Sequence, residues 1–310
     1  MKLSGKKILV TGGAGFIGAN LVSELLSENC RVVVIDNLST GREENLNPAA
    51  VFFNVDICDK KINEIFEKEK PDIVFHLAAQ VNVRESVKDP IKDAKINILG
   101  SLNVLENCKK IGVKKIIFAS TGGAIYGEAS IIPTPENYPE FPLSPYGAAK
   151  LSVERYLNYY HKNFYLNFVI LRLANVYGPM QNPFGEAGVI SIFCNKALRG
   201  ENPVIFGDGK QTRDFVYVKD VVSAFISAAE SDKTGIFNVG TGKESDINYV
   251  FSKIKELAGL SYSPSYAPAQ QGEQKRSCLD YSKINKEFAW TPKYSLEDGL
   301  QETLKWFELR

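Results

Sequence analysis

The chain has 310 residues, of which 44% are hydrophobic, and its 37 basic and 36 acidic side chains give a formal net charge of +1. This length allows two domains, or one domain with a large lobe attached. The balanced charge argues against nucleic acid or an anionic membrane as a partner. Five scattered cysteines and only two histidines make a metal site unexpected.

The N-terminal residues and the apolar runs bear on location. Lys2 leads directly into a strand pattern, without the apolar stretch of a secretion signal. No apolar run approaches the roughly 18 residues that a membrane-spanning helix needs. We therefore expect a cytoplasmic protein.

A short apolar strand followed by a glycine-rich turn opens the chain. Lys7–Thr11 is followed by glycines at positions 12, 15 and 18 and then by a predicted helix over 19–27. Such glycines permit a tight turn, close approach of a pyrophosphate and close helix–strand packing. The next strand ends in Asp36, where a carboxylate bonds an adenosine ribose and repels a 2′-phosphate. The pattern predicts a Rossmann entry that binds NAD rather than NADP.

Strands and helices continue to alternate up to residue 175. The predicted strands cover 51–55, 72–76, 115–120 and 168–173, and the predicted helices cover 60–70, 93–111 and 148–160. Repeated βα units indicate an α/β fold with a doubly wound parallel sheet, whose ligands bind at the carboxyl ends of the strands. We expect a Rossmann domain over 1–175, to which 218–240 returns. A smaller irregular α+β substrate lobe would contain 176–217 and 241–310.

A tyrosine and a lysine stand at the mouth of the predicted helix over 148–160. Tyr146 and Lys150 are four residues apart, so their side chains share a helix face. An ammonium beside a phenol favours the phenolate and lowers the phenol pKa from about 10. Such a tyrosine can take a proton from a substrate hydroxyl and return it. The simpler alternative is a solvated helix face, and the choice depends on the rest of the chain.

Together these motifs resemble the extended short-chain dehydrogenase/reductase superfamily in its nucleotide-sugar branch of NAD-dependent epimerases and dehydratases. The resemblance extends over nearly the whole chain and is strongest to the 4-epimerases of UDP-glucose and UDP-galactose. Its supporting stretches are VIDNLSTG at 34–41, NVYGP at 175–179, GEAGV at 185–189 and TRDFVYV at 212–218.

The resemblance implies two sets of ligand-binding residues. Those for NAD are Gly12, Gly15, Phe16, Ile17, Gly18, Asp36, Asn37, Ser39, Thr40, Gly41, Asp56, Ile57, Leu77, Ala78, Ala79, Gln80, Asn97, Tyr146, Lys150 and Ala174. Those for a UDP-sugar are Thr121, Asn175, Val189, Val204, Phe206, Arg213, Arg276 and Ser277.

The resemblance also implies a catalytic hydroxyl near residue 121. Relatives often place a Ser or Thr four residues before the Tyr-Gly that ends this motif, but here that position is Gly122. The segment between Phe118 and Tyr126 is one residue longer than the common form, which favours Thr121 over Ser120. Tyr146 would then exchange a proton with the sugar's carbon-four hydroxyl, Thr121 would orient the oxygen, and Lys150 would also bind the nicotinamide ribose.

Three departures from relatives bear on the substrate. Gln270 replaces an arginine that binds the diphosphate, and Arg276 is a candidate to substitute for it. Ser277 replaces a bulky tyrosine and leaves room for an N-acetyl group, unless a neighbour fills the space. Gly122-Gly123 stands where dehydratases carry Asp-Glu, which argues against elimination.

Other functions and the oligomeric state remain open at this level. Arg84 could bind the carboxylate of a uronic acid, a reductase would usually favour NADP, and a non-catalytic NAD sensor would lack the Tyr or the Lys. Family resemblance implies a homodimer through the helices over 93–111 and 148–160, with Leu151, Tyr156 and Tyr159 as apolar contacts.

Overall fold

The structure, a computed structural model, describes residues 2–184, 188–261, 263–269 and 274–309. Its strands are β1 (Lys7–Thr11), β2 (Arg31–Asp36), β3 (Val51–Asn54), β4 (Ile73–His76), β5 (Lys115–Thr121), β6 (Asn167–Leu173), β7 (Asn175–Tyr177), β8 (Val204–Phe206), β9 (Thr212–Arg213), β10 (Phe215–Tyr217), β11 (Gly235–Val239), β12 (Ser245–Asp246), β13 (Ser265–Ala267) and β14 (Arg276–Ser277). Its α-helices are α1 (Phe16–Ser27), α2 (Ile62–Glu69), α3 (Val83–Lys88), α4 (Pro90–Ala94), α5 (Ser101–Ile111), α6 (Gly122–Tyr126), α7 (Pro145–Phe164), α8 (Val189–Leu198), α9 (Val218–Glu230), α10 (Ile247–Leu257), α11 (Ser282–Phe288) and α12 (Leu296–Glu308).

A parallel sheet of seven strands forms the centre, in the order β11-β6-β5-β4-β1-β2-β3. Helices α1 and α9 pack together on one face, and α2, α5 and α7 pack on the other. Along β1, Ile8 and Val10 join one apolar cluster while Leu9 joins the other. Burial on both faces explains the continuous apolar strands. The predicted doubly wound Rossmann sheet is confirmed.

Two predicted helices have different boundaries in the structure. Helix α7 begins at Pro145 rather than at 148, because Ser144 caps it by accepting a hydrogen bond from Gly147 N at 3.2 Å and proline is favoured in a first turn. The predicted helix over 93–111 is divided into α4, a π-helical turn (Lys95–Gly100) and α5. Insertions of this kind often occur at functional sites, and this one contains the buried Asn97.

Beyond β6 the strands are short and form small sheets. Strand β7 pairs with β10, β9 lies between β12 and β14, and β8 pairs with β13. By contrast, β11 pairs with β6 in the central sheet, and α9 packs beside α1. In the described part of the chain, no helix is both long and apolar enough to cross a bilayer.

Candidate active site

The glycine turn between β1 and α1 leaves space where a phosphate could approach. A Cβ on Gly12, whose φ is +73°, would lie 2.6 Å from Ala78 N, and one on Gly18 would lie 2.1 Å from Gly12 O. A Cβ on Gly15 would meet only Gly12 O, at 3.3 Å, among the described atoms. Gly15 caps α1, which has no side-chain cap, so the backbone N–H groups of its first turn are available to an anion. The turn fits a dinucleotide pyrophosphate.

Asp36 holds the glycine turn and the following loop together. Its Oδ2 accepts a hydrogen bond from Ala14 N at 2.9 Å, and its Oδ1 accepts one from Leu38 N at 2.8 Å. The loop returns to the turn through Arg42 N, which donates to Ala14 O at 3.0 Å. This loop contains the four other predicted cofactor residues of the segment, which are Asn37, Ser39, Thr40 and Gly41. The carboxylate retains acceptor capacity for a ribose hydroxyl.

Asp56 and Ile57, two of the predicted NAD residues, lie shortly after the end of β3. Asp56 accepts hydrogen bonds from Cys58 N and from Asn37 Nδ2, both at 2.7 Å. Burial opposes ionisation, but these hydrogen bonds hold the pKa of Asp56 below its usual value. The neighbouring Ile57 side chain is buried. Asp36 ends β2 and Asp56 follows β3, so both aspartates lie at the carboxyl edge of the sheet.

The segment 77–80 leaves β4 with its backbone held from two sides. Ala78 N donates to Thr11 Oγ1 at 3.3 Å, while Thr11 Oγ1 and Ser101 Oγ lie 2.7 and 2.9 Å from the ring nitrogens of His76. Burial, followed by the charge of Lys150, lowers the pKa of His76 to about 3, so this imidazole is neutral at physiological pH.

Gln80 and Asn97 continue this wall of the cleft. Gln80 N donates to Asn97 Oδ1 at 2.8 Å, and Asn97 Nδ2 donates to Gln80 O at 2.9 Å. The small residues Ala78 and Ala79 and the half-buried Leu77 precede them. The structure thus brings Gln80, from the segment after β4, into contact with Asn97, from the π-helical turn.

Tyr146 and Lys150 lie one turn apart at the start of α7. Lys150 Nζ donates to Ala119 O at 3.0 Å, and it lies 4.7 Å from the centre of the Phe118 ring and 5.9 Å from that of Tyr146. Helix α7 approaches α6 closely, because a Cβ on Gly147 would lie 2.3 Å from Ala124 O. The first turn of α7 is therefore held against the turn that follows Thr121.

The sequence predicted that Lys150 lowers the pKa of Tyr146, but the side chains of the protein, without a bound cofactor, raise it. Burial, followed by the charge of Asp93, raises the pKa of Tyr146 above its usual value. The Lys150 ammonium donates to a backbone carbonyl, and burial lowers its own pKa to about 8 against the opposing charges of Asp93 and Glu154. Lys150 alone does not overcome the cost of burying a phenolate.

The two hydroxyls at the end of β5 have different surroundings. Ser120 Oγ donates to Glu154 Oε1 at 2.6 Å and is 4% exposed. Thr121 points to the other face of the strand, where its Oγ1 accepts from Ala124 N at 3.3 Å. The Thr121 hydroxyl hydrogen can still be donated to a substrate oxygen, whereas Ser120 has a buried carboxylate as its partner.

The predicted sugar residues include a pair on one face of a small sheet. Strand pairing aligns Ser277 with Arg213 and Arg276 with Thr212, so Ser277 and Arg213 share a face and Arg276 points to the opposite one. Arg276 Nε donates to Glu244 Oε1 at 3.0 Å, and Thr212 Oγ1 also donates to Glu244. A Cβ on Gly123 would lie 3.4 Å from Ser277 Oγ, so Ser277 adjoins the turn after Thr121.

The remaining predicted substrate residues lie on separate short elements beyond β6, and Ala174, a predicted NAD residue, directly follows β6. Asn175 is exposed, and its N donates to Asp214 O at 2.9 Å. Ala174 N donates to Val239 O at 2.9 Å, and Val189 begins α8. Val204 and Phe206 are 39% and 41% exposed at the two ends of β8. Gln270 and the motif residues 185–187 lie outside the described residues.

Sequence reasoning missed a buried ionic network behind Ser120. Arg172 is fully buried and bonds Glu154, Glu140 and the Tyr126 hydroxyl. Tyr126 in turn donates to Asn238 Oδ1 at 2.9 Å. The signal was the spacing of Glu154, which lies four residues after Lys150 on the same helix. This network ties α7 to β5, β6 and β11 behind the candidate catalytic groups.

Asp93 was also missed, although it precedes Asn97 by four residues. It is 1% exposed, and its Oδ1 accepts hydrogen bonds from Gln80 Nε2 and Asn97 Nδ2, both at 2.9 Å. The sequence shows the i, i+4 spacing between Asp93 and Asn97, but it does not show that the Asp93 side chain is buried.

Comparisons with known proteins agree with this geometry. The model of the NAD dependent epimerase/dehydratase family matches residues 8–240. A putative UDP-glucose 4-epimerase of Methanocaldococcus jannaschii is 46% identical over 97% of this chain and 98% of its own length.

Two solved structures have nearly the same backbone. A UDP-glucose 4-epimerase of Thermotoga maritima, solved with UDP-glucose, is 49% identical with a TM-score of 0.96 and covers 98% of this chain and 99% of its own. A UDP-N-acetylglucosamine 4-epimerase of Methanobrevibacter ruminantium M1, in complex with UDP-N-acetylmuramic acid, is 39% identical with a TM-score of 0.94 and covers 99% of both chains. Because the family match runs through both the glycine cradle and the Tyr146–Lys150 helix, the chain belongs to the NAD-dependent epimerase/dehydratase family, as an enzyme whose cofactor is NAD.

Proposed function

We propose that the chain is a UDP-glucose/UDP-galactose 4-epimerase. The observation that carries this proposal is the arrangement at the carboxyl edge of the sheet. Tyr146 and Lys150 begin α7, which Gly147 packs against the turn after Thr121, and the glycine cradle for NAD lies at the same edge. The Thermotoga relative is a UDP-glucose 4-epimerase solved with UDP-glucose, and the Methanocaldococcus relative is a putative UDP-glucose 4-epimerase; both support the proposed substrate pair.

Bound NAD supplies a hydride acceptor that can later return the hydride to the sugar. Tyr146 would take the proton from the carbon-four hydroxyl of the sugar and would later return a proton to the same oxygen. Thr121 donates a hydrogen bond to the same oxygen and orients it. Lys150 binds the nicotinamide ribose, and its charge favours the phenolate of Tyr146 in the loaded site.

We assign the UDP moiety to residues of the smaller lobe, which we delimit as 176–217 and 241–310. Arg213 binds the diphosphate, because a guanidinium can bond two phosphate oxygens at once. The exposed face of Phe206 packs on the uracil, with Val204 and Val189 nearby in the binding surface. Asn175 contributes a side-chain hydrogen bond from the end of β7. Arg276 is the weaker diphosphate candidate, because Glu244 engages its guanidinium on the opposite face.

Ser277 makes N-acetylated substrates part of the proposal. Its side chain adjoins Gly123, where an added Cβ would be in contact with Ser277 Oγ at 3.4 Å and with Gln274 Oε1 at 3.5 Å. The proposal therefore rests on the small size of Ser277 and Gly123, in place of bulkier side chains, to admit an acetamide at carbon two of the sugar. The UDP-N-acetylglucosamine 4-epimerase of M. ruminantium, with nearly the same fold, supports conversion of UDP-GlcNAc and UDP-GalNAc as well.

Elimination of water is a weaker alternative. A dehydratase needs an additional acid/base pair beside the catalytic hydroxyl, but Gly122 and Gly123 occupy those positions. A side chain at Gly122 would also have little room, because its Cβ would lie 2.5 Å from Leu279 Cδ2. Arg84, the candidate for binding a uronic acid, is exposed on α3.

The direct experiment is conversion of UDP-galactose to UDP-glucose without added cofactor, repeated with the N-acetylated and uronic acid pairs. We expect turnover of the hexose and N-acetylhexosamine pairs, and release of NAD or NADH when the protein is denatured. Ser277→Tyr should remove activity on the N-acetylated pair while sparing the hexose pair. Absence of hexose turnover in a protein that retains NAD would refute the proposed substrate, and an equal effect of Ser277→Tyr on both pairs would refute its role in the pocket.

We also propose a homodimer through the helices around Ile91 and Tyr159. Ile91 and Leu99 are 81% and 60% exposed, and Tyr156 and Tyr159 on α7 are 40% and 51% exposed. Leu151 is half-buried on the same helix. Several large apolar side chains on neighbouring helices are typical of an interface. Sedimentation at micromolar concentration should show a dimer, and a monomer would contradict this proposal.

A further inference from the structure

We propose that Asp93 is a positioning residue for the proposed epimerase reaction, which holds Gln80 and Asn97 at the cofactor cleft and sets a negative charge opposite Tyr146 and Lys150. This inference rests on the proposed function for its substrate but concerns a residue outside the predicted catalytic and cofactor sets.

The burial of Asp93 is the first observation. The side chain lies in α4 just before the π-helical turn and is 1% exposed. Its Oδ1 accepts two hydrogen bonds at 2.9 Å, from Gln80 Nε2 and from Asn97 Nδ2. Within the described residues, no donor lies within hydrogen-bond distance of its Oδ2. A buried carboxylate oxygen without a partner is costly, so a fold that keeps it calls for an explanation beyond packing.

The neighbours of Asp93 supply that explanation. Helix α4 and the π-helical turn both pack against α7, and the charge of Asp93 acts on Tyr146 and on Lys150. The other titratable groups that act on this cluster are Glu154, through Lys150, and the neutral His76. Glu154 is already bonded by Arg172 and Ser120. Among the described residues Asp93 Oδ2 accepts no hydrogen bond, so the charge of Asp93 is less compensated by direct partners than that of Glu154.

A negative charge at this place has opposite consequences for the two catalytic groups. It favours the Lys150 ammonium, whose pKa burial has already lowered to about 8. It disfavours the Tyr146 phenolate and so raises the pKa of that phenol. Burial raises the pKa of Asp93 itself. In its ionised form, Asp93 adds to Glu154 in favouring the Lys150 ammonium, and it raises the pH at which Tyr146 ionises. Removing the charge should lower both pKa values.

Asp93→Asn tests this inference, because the amide keeps an oxygen acceptor for Gln80 and Asn97 while the charge is lost. We expect both limbs of the pH profile of kcat to move to lower pH by about 1 unit, which lowers the rate about 10-fold on the alkaline limb. Asp93→Glu should return the profile towards its original position. The matched control is Asp89→Asn, which changes the net charge equally at an exposed position that caps the same helix and should leave the profile unmoved.

A second readout does not depend on turnover or on the substrate. The ultraviolet absorbance of tyrosinate is titrated in the NAD-loaded protein, with the matching Tyr146→Phe protein subtracted in each background. The Tyr146 titration should move to lower pH in Asp93→Asn, even if the proposed substrate is wrong. A loss of rate without movement of either titration would reduce Asp93 to a structural residue and overturn the proposal.

Folding of the neutral variant is checked by circular dichroism and by retained NAD. If Asp93→Asn does not fold, Asp93→Ser supplies a smaller neutral side chain for the same measurements. Failure of both neutral variants to fold would make the carboxylate a folding determinant, which also overturns the proposal.

Discussion

The cofactor side and the sugar side of this protein are built in different ways. The cofactor side rests on seven strands of one parallel sheet, and its key contacts are backbone contacts at glycines such as Gly12 and Gly18. The sugar side rests on strands of two or three residues in small sheets, and its candidate contacts are side chains such as Arg213 and Ser277. A backbone contact survives most side-chain substitutions, whereas one substitution can remove a side-chain contact, so we expect substitutions on the sugar side to change substrate choice more readily.

Asp214 connects the two sides. It is 1% exposed and accepts hydrogen bonds from Thr241 N and Oγ1 at 2.8 and 2.6 Å, and from Gly242 N and Leu279 N at 3.2 Å. These donors come from the segment after β11 and from the segment after β14. One buried carboxylate thus fixes the sugar side against the end of the central sheet.

The largest expected effect is at the point where the two sides meet. Tyr146→Phe removes only the proton-transferring hydroxyl, so we expect kcat to fall by about 10³-fold or more while NAD stays bound. Turnover and NAD content measured on the same preparation check this. Tyr156→Phe, an exposed tyrosine on the same helix, is the control, and substantial activity in Tyr146→Phe would remove Tyr146 from the mechanism.

The next largest effect distinguishes Thr121 from Ser120, which lie on opposite faces of β5. Thr121→Val should lower kcat by about 10²-fold, the usual size of one lost oxygen-stabilising hydrogen bond. Ser120→Ala should change kcat little but lower the free energy of unfolding by about 1 kcal/mol, because Glu154 loses a donor. Kinetics and denaturant unfolding of both variants give the comparison. A larger loss of rate at Ser120 would contradict the choice of Thr121.

A smaller effect distinguishes the two faces of the β9–β14 sheet. Arg213→Gln should raise KM for the UDP-sugar by about 10-fold, because a charge-assisted contact to the diphosphate is lost. Arg276→Gln removes the same charge from the face that Glu244 occupies and should leave KM within about 2-fold. Equal increases in KM would place both guanidiniums on the diphosphate.

The smallest expected effect on rate is at Asp214, which connects the cofactor side and the sugar side. Asp214→Asn replaces an acceptor of several donors by an amide, so we expect the free energy of unfolding to fall by about 1–3 kcal/mol. NAD retention should survive, because the glycine cradle does not involve Asp214. Thermal unfolding is compared with Asp208→Asn, an exposed aspartate of the same lobe. Loss of NAD without loss of stability would contradict this division of the molecule.

Local sequence determined much of the cofactor side. The glycine turn, Asp36 and the apolar strands are each encoded by residues next to one another, so burial on both faces and a doubly wound parallel sheet could be predicted, but not the order of its strands. Helix α7 begins three residues before the predicted start, because Ser144 caps it and Pro145 begins its first turn. Tyr146 and Lys150 were visible because both belong to one helical turn.

Tertiary structure alone decided what those groups experience. The pKa of Tyr146 depends on burial and on Asp93, which is 53 residues away in the sequence, whereas the local Tyr-Lys spacing predicted the opposite direction. Motif length favoured Thr121 over Ser120, but only the structure shows that Ser120 is hydrogen-bonded to the buried Glu154. The sequence made Arg276 a plausible diphosphate ligand, whereas the strand pairing places its side chain beside Glu244, on the face opposite to Arg213. Sequence specifies the chemical groups and their local spacing, whereas desolvation and charge act through space between segments that only folding brings together.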